Sequence, residues 1–514
     1  MTTLYDLVSN AQSKYGNRAF IKEKTPAGIK ETSFSEFYMG ALKISAFIND
    51  KFGKTIHAGV IGATAANYLI SYIGSMCGGN VGVPIDALLS VPDICELLDR
   101  ADAEVLFYDS RFEAAVPAMR KACSKIKFFV SLTDEDKTEN GDFTVGAILE
   151  KYEVTVPEKL PEAKELAAIL FTSGTTGKAK GVMLTHGNFM DNAFCCDNES
   201  TEDDVILTVL PIHHVYCFTC DILLSLRYGT MVCVNDSLMK VAQNLKEFAP
   251  TIILLVPMIA AAIYKQIKAA AKANPNVPIQ MIAKAAFGGR LKTIYSGGAY
   301  LSPELIAAYE ELGVTIAQGY GMTECSPRIT SGDLTMKSNG DVGKIVRGCE
   351  VKIVDGEITV KSPSVMQGYY KDEKNTAEAL KDGWLYTGDL GHTDEYGRLY
   401  ITGRKKNLII LSNGENVSPE ELENKAEAAQ IAQEVLVYPE EEVLTLELYL
   451  GNELYKGKTE EEIVKEIKEK VSAVNRTLPS SKAIRKIRIR KEEFEKTTSK
   501  KIKRAQSKQG ELIK

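Results

Sequence analysis

The sequence predicts an α/β protein with a large N-terminal part, a β-rich stretch and a small C-terminal α+β part. In the first 160 residues, helix-like stretches alternate with short apolar runs bounded by Gly, Pro or Asp, which is typical of βα units around a largely parallel sheet, and the strand signal recurs up to residue 295. After about residue 340, short alternating runs separated by Gly and Asp indicate β-hairpins. Beyond Arg404, helix-start signals return and indicate a separate small core.

Local patterns justify each element in chain order. Apolar residues at helical spacing predict a helix over Phe34–Phe47. Buried strands are predicted at Ala58–Ile61, Val81–Val83, Val105–Tyr108, Leu166–Phe171, Ile252–Val256 and Lys292–Tyr295. Hairpin strands are predicted at Gly356–Val360 and Gly397–Gly403. Capping boxes predict helices after Ser418 and Thr459, the second with Ile463, Ile467 and Val471 on one face, and alternation from Ile487 to Arg490 predicts a one-sided strand.

Composition sets the outer limits. The chain has 514 residues, which allows about three folding units, and its 45% hydrophobic and 25% charged residues are close to globular averages. The net charge of −6 provides no overall field for nucleic acid, so we expect no nucleic-acid partner. The longest apolar stretch, residues 251–264, is too short to span a bilayer, which leaves only peripheral membrane contact open. The start shows no secretory signal and the ten cysteines show no framework spacing, so we expect reduced thiols and a cytoplasmic protein.

Two histidines and two cysteines lie close together in the sequence. His213, His214, Cys217 and Cys220 fall within eight residues, which raises the possibility of a zinc site. Their spacing differs from that of zinc fingers, and free cysteine is commonly a small buried apolar residue. We therefore expect core packing with a pocket role rather than a metal site.

The strongest local signal is the string Phe171–Gly181, FTSGTTGKAKG, directly after a predicted strand. Glycines let backbone amides approach an anion, hydroxyls donate hydrogen bonds, and lysines neutralise charge, so the string predicts a phosphate cradle. It is not a Walker loop, because only two residues separate Gly174 from Gly177 and Ala179 follows Lys178.

Residues 172–186, TSGTTGKAKGVMLTH, closely resemble the signature of the adenylate-forming superfamily, which includes acyl-CoA synthetases, luciferases and nonribosomal adenylation domains. Six further segments match in order: Leu210–Tyr216, Ser296–Ala299, Gly319–Glu324, Tyr386–Asp389, Gly403–Arg404 and Lys496–Ile502. The resemblance implies an N-terminal domain over 1–404, with an αβαβα core and a β-rich subdomain from about 335 to 404. It also implies a mobile C-terminal domain over 405–514 that turns about a hinge at Lys406.

The resemblance also implies roles for individual residues. The β- and γ-phosphates of ATP would be held by Thr172, Ser173, Gly174, Thr175, Thr176, Gly177 and Lys178. The adenine and α-phosphate would be held by Gly297, Gly298, Ala299, Gly319, Tyr320, Gly321, Met322 and Thr323, with Tyr320 stacking on the base. Glu324 and Thr176 would bind Mg²⁺, Asp389 would accept the ribose hydroxyls, and Arg404 would reach the ribose and phosphates. Lys501 would assist adenylation, His214 would gate the acyl pocket, and Gly414 would line the CoA tunnel.

The sequence departs from the commonest family pattern at three positions. Many relatives have Gly where Lys500 stands, whereas long-chain acyl-CoA synthetases resemble this sequence in carrying a basic residue there. Gln318 stands where many relatives have Glu. Arg328 is a charge where an apolar residue is more usual. If Arg328 faces the acyl pocket, it could pair with a second carboxylate on the substrate; a surface position is the ordinary alternative.

These residues predict an acyl-CoA synthetase that uses ATP, Mg²⁺ and CoA to activate a carboxylic acid, with release of AMP and pyrophosphate. Segment Leu210–Tyr216 contains no acid to pair with a substrate amine, which favours a neutral apolar acid, fatty or aromatic, over an amino acid. A ligase that loads an acyl carrier protein is the alternative. An inactive ligand-binding homologue is disfavoured, because the residues expected to perform the chemistry are present.

Overall fold

The computed structural model describes residues 2–172, 178–197, 200–332, 334, 338, 340–411, 416–441, 443–451, 454–496, 502–504 and 510–513. Contacts group the chain into two compact units. The first consists of Met1–Leu301, Leu305–Val351 and Val360–Leu385, and the second of Ser302–Glu304, Lys352–Thr359 and Tyr386–Lys514. The boundary expected after Arg404 stays a prediction, since this division follows contacts alone.

The strands up to residue 404 are short, as the apolar runs predict. In chain order they are β1 (Ala19–Thr25), β2 (Gly28–Ser33), β3 (His57–Ile61), β4 (Val81–Ile85), β5 (Ala103–Tyr108), β6 (Phe128–Ser131), β7 (Phe143–Thr144), β8 (Leu166–Thr172), β9 (Lys180–Thr185), β10 (Val205–Thr208), β11 (Met231–Val234), β12 (Ile252–Leu255), β13 (Thr293–Ser296), β14 (Thr315–Gln318), β15 (Thr330–Ser331), β16 (Lys344–Ile345), β17 (Glu350–Val354), β18 (Glu357–Lys361), β19 (Gly368–Tyr369), β20 (Leu380–Lys381), β21 (Trp384–Thr393) and β22 (Leu399–Arg404). Each buried strand predicted from the sequence is present.

The helices of this part connect and cover the strands. They are α1 (Leu4–Tyr15), α2 (Phe34–Phe52), α3 (Ala66–Cys77), α4 (Val91–Arg100), α5 (Val116–Ala122), α6 (Val145–Lys151), α7 (His186–Phe194), α8 (Val215–Cys217), α9 (Leu224–Tyr228), α10 (Val241–Phe248), α11 (Pro257–Ala273), α12 (Ile279–Ala286), α13 (Pro303–Glu311) and α14 (Glu373–Ala379). A π-helical turn, Phe218–Leu223, joins α8 to α9.

Two mainly parallel sheets form the frame of the first unit. One has the order β19-β9-β8-β4-β3-β5-β6-β7 and the other the order β14-β13-β12-β10-β11-β1-β2. Antiparallel pairs occur where β9 meets β8 and β19, and where β2 meets β1. The parallel pairs carry Val, Ile and Leu on both faces, as strands covered on both sides do.

Helices cover both faces of these sheets. Helices α3 and α7 and the π-helical turn form the middle helical layer. Every residue of α3 is buried, and the Phe218 ring of the turn lies 4.8 Å from the Tyr72 ring of α3 and 5.4 Å from the Phe189 ring of α7. Helices α4 and α5 share a core with the first sheet, and α10 to α13 share one with the second. The predicted αβαβα layering is thereby confirmed.

The end of the chain has its own core, as predicted. Its elements are β23 (Ile409–Ile410), β24 (Asn416–Val417), α15 (Pro419–Ala428), β25 (Glu434–Glu440), β26 (Val443–Tyr449), α16 (Glu460–Arg476), β27 (Ile484–Arg490) and β28 (Glu511–Leu512). The sheet order is β25-β26-β27-β28, with β26 and β27 parallel across the connection through α16. Ile467 and Val471 of α16 are buried in this core.

The two predicted capping boxes differ in outcome. Thr459 and Glu462 cap α16 reciprocally, as expected. At α15 the capping box is wrong: Ser418 precedes the helix, but its hydroxyl donates to Glu420 Oε2 at 3.0 Å instead of accepting from the helix backbone. In the described part of the chain, no helix is both long and apolar enough to cross a membrane.

Candidate functional site

The carboxyl ends of β13 and β14 bring two glycine-containing segments together. Ser296 and Gln318 are partners in the parallel ladder, so residues 297–299 and 319–324 leave the sheet side by side. The Gly319 N–H donates to the Ser296 carbonyl at 2.9 Å, and Gln318 Nε2 donates to the Ala299 carbonyl at 3.1 Å. Open α/β sheets bind ligands at this edge.

The glycines of these two segments let neighbouring groups approach the backbone closely. A Cβ at Gly297 would lie 3.3 Å from the Tyr216 ring, and Gly298 has a φ of +79°. A Cβ at Gly321 would lie 2.0 Å from the Pro327 carbonyl oxygen, so only glycine fits. Tyr216 therefore packs directly beside the predicted adenine segment. The sequence places Tyr216 only in the matched segment Leu210–Tyr216, without a role of its own.

The segment after β14 folds back on itself. The Tyr320 N–H donates to Thr330 Oγ1 at 3.0 Å, and the Met322 N–H donates to the Pro327 carbonyl at 2.9 Å. These bonds place Thr323 and Glu324 in a short 3₁₀ turn. The geometry of the predicted Mg²⁺ and α-phosphate residues is thus set by backbone pairing rather than by long side chains.

Glu324 is buried and held from two sides. Its carbonyl accepts the Met366 N–H at 2.9 Å, and its Oε1 accepts the Tyr369 hydroxyl at 2.8 Å. Burial and the neighbouring carboxylate raise the pKa of Tyr369 well above its ordinary value. The Tyr369 hydroxyl therefore stays protonated and donates a hydrogen bond to Glu324 at any physiological pH.

Lys180 extends this contact to the predicted phosphate string. Its Nζ lies 4.8 Å from the Tyr369 ring centroid and donates to Asn375 Oδ1 at 2.6 Å. Thr172 faces Lys180 across the β8–β9 pair, so the base of the string connects through Tyr369 to Glu324. Lys178 is exposed just before β9, and residues 173–177 lie outside the described residues.

Sequence reasoning included Lys180 only as one of the two lysines of the phosphate string, and it assigned no role to Tyr369. Tyr369 gave no signal, because it is brought to Glu324 only by the pairing of β19 with β9.

The histidine and cysteine cluster divides between core and surface. Cys217 and Cys220 are buried, as core packing predicts, and the Cys217 thiol donates to the Leu210 carbonyl at 3.2 Å. Burial lowers the pKa of His213 to about 4, so it is neutral at physiological pH, and its Nε2 lies 3.8 Å from Asp86 Oδ2. His214 is exposed beside it, with ring centroids 5.4 Å apart.

Arg328 is buried, so the surface alternative is wrong. Its Nη2 donates to the Asn192 carbonyl at 2.6 Å, and its backbone N–H donates to Asn192 Oδ1 at 3.2 Å. Its positive charge lowers the pKa of Tyr216, although burial, the larger effect, leaves that pKa raised well above the ordinary value. Its backbone also pairs with Gly321 in an isolated antiparallel bridge, which places Arg328 next to the segment that follows β14.

A buried acid near Tyr216 was missed by sequence reasoning. Asp221 lies in the π-helical turn, is fully buried and accepts the Cys217 thiol at 3.3 Å. Its Oδ1 has no hydrogen-bond partner among the described residues. Burial raises the pKa of Asp221 to about 7.

In the second unit, Asp389 and Arg404 face each other in the β21–β22 pair. Arg404 Nε lies 2.7 Å from Asp389 Oδ1, and Asp389 is buried while the Arg404 side chain is 42% exposed. Lys406 lies in a short 3₁₀ turn, Lys405–Asn407, next to Lys405, which pairs with Glu357 at 2.7 Å. Gly414, Lys500 and Lys501 lie outside the described residues.

The donor set suits a hard divalent cation. Mg²⁺ prefers carboxylate and other oxygen ligands, and Glu324 and Thr323 offer these at the edge of the sheet. The other predicted metal residue, Thr176, lies outside the described residues.

Sequence comparisons match most of the chain to known families. The family described as AMP-binding enzyme matches residues 8–370, and that described as AMP-binding enzyme C-terminal domain matches residues 406–510. Indoleacetate–CoA ligase of Aromatoleum aromaticum is 32% identical over 379 residues, which cover 70% of each chain. Long chain acyl-CoA synthetase 7, peroxisomal, of Arabidopsis thaliana is 34% identical over 316 residues, 52% of this chain. The chain spans 45% of the length of that protein.

Solved structures share the fold. The anthranilate CoA ligase AuaEII in complex with anthranoyl-AMP has a TM-score of 0.82 at 19% identity, and the match covers 97% of this chain and 95% of that one. O-succinylbenzoate coenzyme A synthetase from Bacillus subtilis in complex with AMP has a TM-score of 0.79 at 24% identity, covering 98% and 99%.

Proposed function

The chain belongs to the AMP-binding enzyme family, and on this premise we propose that it is an AMP-forming acid–thiol ligase. It would convert ATP, a carboxylic acid and CoA into acyl-CoA, AMP and pyrophosphate. The observation that carries the proposal is that three groups meet in the first unit. Gln318 joins Gly297–Ala299 to the segment that contains Glu324, and Tyr369 joins Glu324 to the base of the phosphate string.

In the first step, a carboxylate oxygen of the acid attacks the α-phosphorus of ATP, and the bond to pyrophosphate breaks. Both reactants are anionic, so the site must supply positive charge and hydrogen-bond donors. Residues 172–178 would hold the leaving phosphates, and the small residues Gly297–Ala299 would let the adenine approach the backbone. Glu324 would hold Mg²⁺, which neutralises phosphate charge when bound.

In the second step, the CoA sulfur attacks the acyl carbon, and AMP leaves. We propose that the second unit serves both steps: Asp389 and Arg404 at the ribose, Lys501 at the α-phosphate and acid, and Gly414 along the CoA tunnel. Lys406 would be the hinge, since a turn between elements can absorb a change of φ and ψ.

We propose a fatty or aromatic acid as substrate and a role in lipid or aromatic acid metabolism in the cytoplasm. The segment Leu210–Tyr216 presents no carboxylate for a substrate amine. Curated relatives act, by name, on long-chain acyl groups, indoleacetate and 2-succinylbenzoate, so both acid types are represented.

Arg328 supports a second candidate, an acid with a further carboxylate. Arg328 is buried and pairs with Gly321, in the segment that leaves the sheet beside Gly297–Ala299, so its guanidinium is a suitable counter-charge for such a group. The acceptor has an alternative as well: a carrier-protein phosphopantetheine in place of CoA.

An acid panel tests these proposals. Pyrophosphate release is measured for fatty, aromatic and dicarboxylic acids, with CoA, with an acyl carrier protein, and with neither. Thioester formation only with the carrier protein would overturn CoA as acceptor, and no release with any acid would favour an inactive homologue. Arg328→Leu, against the exposed Arg290→Leu as control, should remove activity on dicarboxylic acids selectively; an unchanged acid profile would reject that role.

A further inference from the structure

The outer helices of the first unit carry a concentrated positive charge. Residues 236–304 contain eight Lys or Arg residues and three acidic residues, Asp236, Glu247 and Glu304, a net charge of +5 in a chain whose net charge is −6. Glu247 is itself paired, with Lys24 at 2.6 Å. This local charge is opposite in sign to that of the whole chain.

Most of these basic groups are in helices that share one core. Ile263 and Ile267 of α11 are buried in one core with Leu245 of α10. Ala283 of α12 and Phe287, which directly follows α12, belong to the same core. A Cβ at Gly288 would lie 2.3 Å from the Leu245 carbonyl oxygen, which shows how closely α10 and α12 approach. The opposite sides of the three helices therefore form one outer face, here called the basic face.

The basic face has exposed lysines in regular positions. Met258, Lys265 and Lys272 recur at intervals of seven residues along α11, so they lie on one side of the helix, and Lys268 is exposed next to them. Lys284 is exposed on α12 and Lys246 on α10. Among the described residues, no ion pair joins these five lysines to a carboxylate; the Lys268 ammonium instead lies 5.6 Å from the Tyr264 ring centroid.

Large apolar side chains are exposed among these lysines. Met258 is 55% exposed, Met281 62% and Met239 93%, and Leu238 and Val277 are exposed as well. Unpaired lysines beside exposed flexible apolar side chains are the composition of a surface that lies in the headgroup region of a bilayer. Single-stranded nucleic acid is typically held by exposed aromatic rings on which its bases stack, and Tyr264 is half-buried against Tyr309, with ring centroids 6.2 Å apart.

We propose that the basic face of α10, α11 and α12 docks the protein on an anionic lipid bilayer. Lysine ammonium groups would lie among negatively charged headgroups, and the methionine side chains would enter the boundary of the acyl region. The occupant follows from charge complementarity: the five exposed lysines of the face attract a negative surface, and its exposed methionines add apolar area that a lipid boundary would cover.

Vesicle co-sedimentation of the full chain tests the proposal. Vesicles of phosphatidylcholine with about one third phosphatidylglycerol should bind the protein, and vesicles of phosphatidylcholine alone should not, because the attraction is electrostatic. Raising the salt from 0.1 M to 0.5 M should release the protein. Binding equal on both vesicle types, or to neither, would overturn the proposal.

A charge-matched pair of variants locates the surface. The triple variant Lys265→Gln, Lys268→Gln, Lys272→Gln should weaken binding about a hundredfold, whereas Lys137→Gln, Lys164→Gln, Lys374→Gln removes three exposed lysines elsewhere and should change it little. Equal weakening by both variants would reject the basic face as the docking surface.

A second variant tests the apolar contribution and guards against a folding effect. Met258→Ser, Met281→Ser keeps every charge and should weaken vesicle binding about tenfold, with thermal melting checked for both variants. Binding of the parent chain to RNA or to an acidic polypeptide in preference to vesicles would reject the bilayer as partner.

Discussion

Glu324 in the first unit and Asp389 in the second are both buried carboxylates, but different partners hold them. Glu324 accepts a neutral phenol, Tyr369, at 2.8 Å, and Asp389 faces a guanidinium, Arg404, at 2.7 Å. A phenol orients a carboxylate without cancelling its charge, whereas an arginine compensates that charge. A carboxylate oriented in the first way suits a cation, and one held in the second way can exchange its partner for ribose hydroxyls.

The two carboxylates also differ in the surroundings that hold their partners. Around Glu324, ladder and turn hydrogen bonds fix the segments that leave β13 and β14. Asp389 and Arg404 are neighbours across an antiparallel strand pair, and the arginine side chain is 42% exposed. We infer that the first unit offers a preformed nucleotide surface and that the second supplies groups suited to exchange.

The largest expected effect comes from the second unit. Lys501→Ala should lower the rate of acyl-AMP formation about a thousandfold or more, because it removes the ammonium group proposed to stabilise the α-phosphate and the acid. Thioester formation from supplied acyl-AMP should be spared. The two half-reactions are measured separately by pyrophosphate exchange and by acyl-CoA release, with Lys503→Ala as the neighbouring control. Equal loss in both steps would contradict a role confined to adenylation.

Glu324→Gln tests the first unit's carboxylate. The amide keeps the shape and can still accept from Tyr369, but it removes the charge proposed to hold Mg²⁺. We expect kcat for adenylation to fall about a hundredfold to a thousandfold, with a higher Mg²⁺ concentration needed for half-maximal rate. Glu395→Gln, at an exposed turn, is the control. An unaltered Mg²⁺ dependence would remove Glu324 as the ligand.

Asp389→Asn tests the paired carboxylate. Hydrogen bonds to a charged group contribute about 1.5–3 kcal/mol, so kcat/KM for ATP should fall about tenfold to a hundredfold. A 2′-deoxy or 3′-deoxy ATP should show the same loss with the parent enzyme and little further loss with the variant. Additive losses would mean that Asp389 does not contact the ribose.

Tyr369→Phe separates orientation from charge at Glu324. It removes one hydroxyl and leaves the ring beside Lys180, so we expect about a tenfold lower adenylation rate at saturating ATP and Mg²⁺. Tyr370→Phe, which removes the neighbouring hydroxyl bonded to Asp102, is the matched control. If both variants kept the parent rate, the phenol would have no orienting role.

The local part of this arrangement could be predicted from the sequence. The strand before the phosphate string and the glycines after β13 are signalled by adjacent residues, because apolar runs and backbone freedom are local properties. The outcome at Ser418 shows where local reasoning fails: its hydroxyl is drawn to Glu420, whose carboxylate also accepts from Arg504, a residue far along the chain.

Contacts between distant segments could not be predicted. Tyr369 reaches Glu324 because a two-residue strand pairs with β9, and Arg328 is buried because Asn192 accepts its donors. Neither pairing leaves a periodic pattern in the sequence. Charge alone indicated a surface position for Arg328, since an unpaired buried arginine is costly and its partner was not visible.

A third buried carboxyl, Asp221, extends the comparison to a group with only neutral donors near it. Burial raises its pKa to about 7, so the folded protein holds this proton where the unfolded chain, with an aspartate pKa near 3.9, has lost it. The stabilisation by the protonated form is complete below pH 4 and is lost as the pH rises through 7.

The first unit of the parent chain should therefore melt at a lower temperature at pH 8 than at pH 6. Asp221→Asn, which cannot ionise, should reduce this difference by about 2 °C, measured by calorimetry at both pH values. Asp136→Asn, at an exposed position, should keep the parent's difference. An identical pH dependence in parent and Asp221→Asn would show that Asp221 does not change its protonation state between pH 6 and pH 8 in the folded protein, which would contradict a pKa near 7.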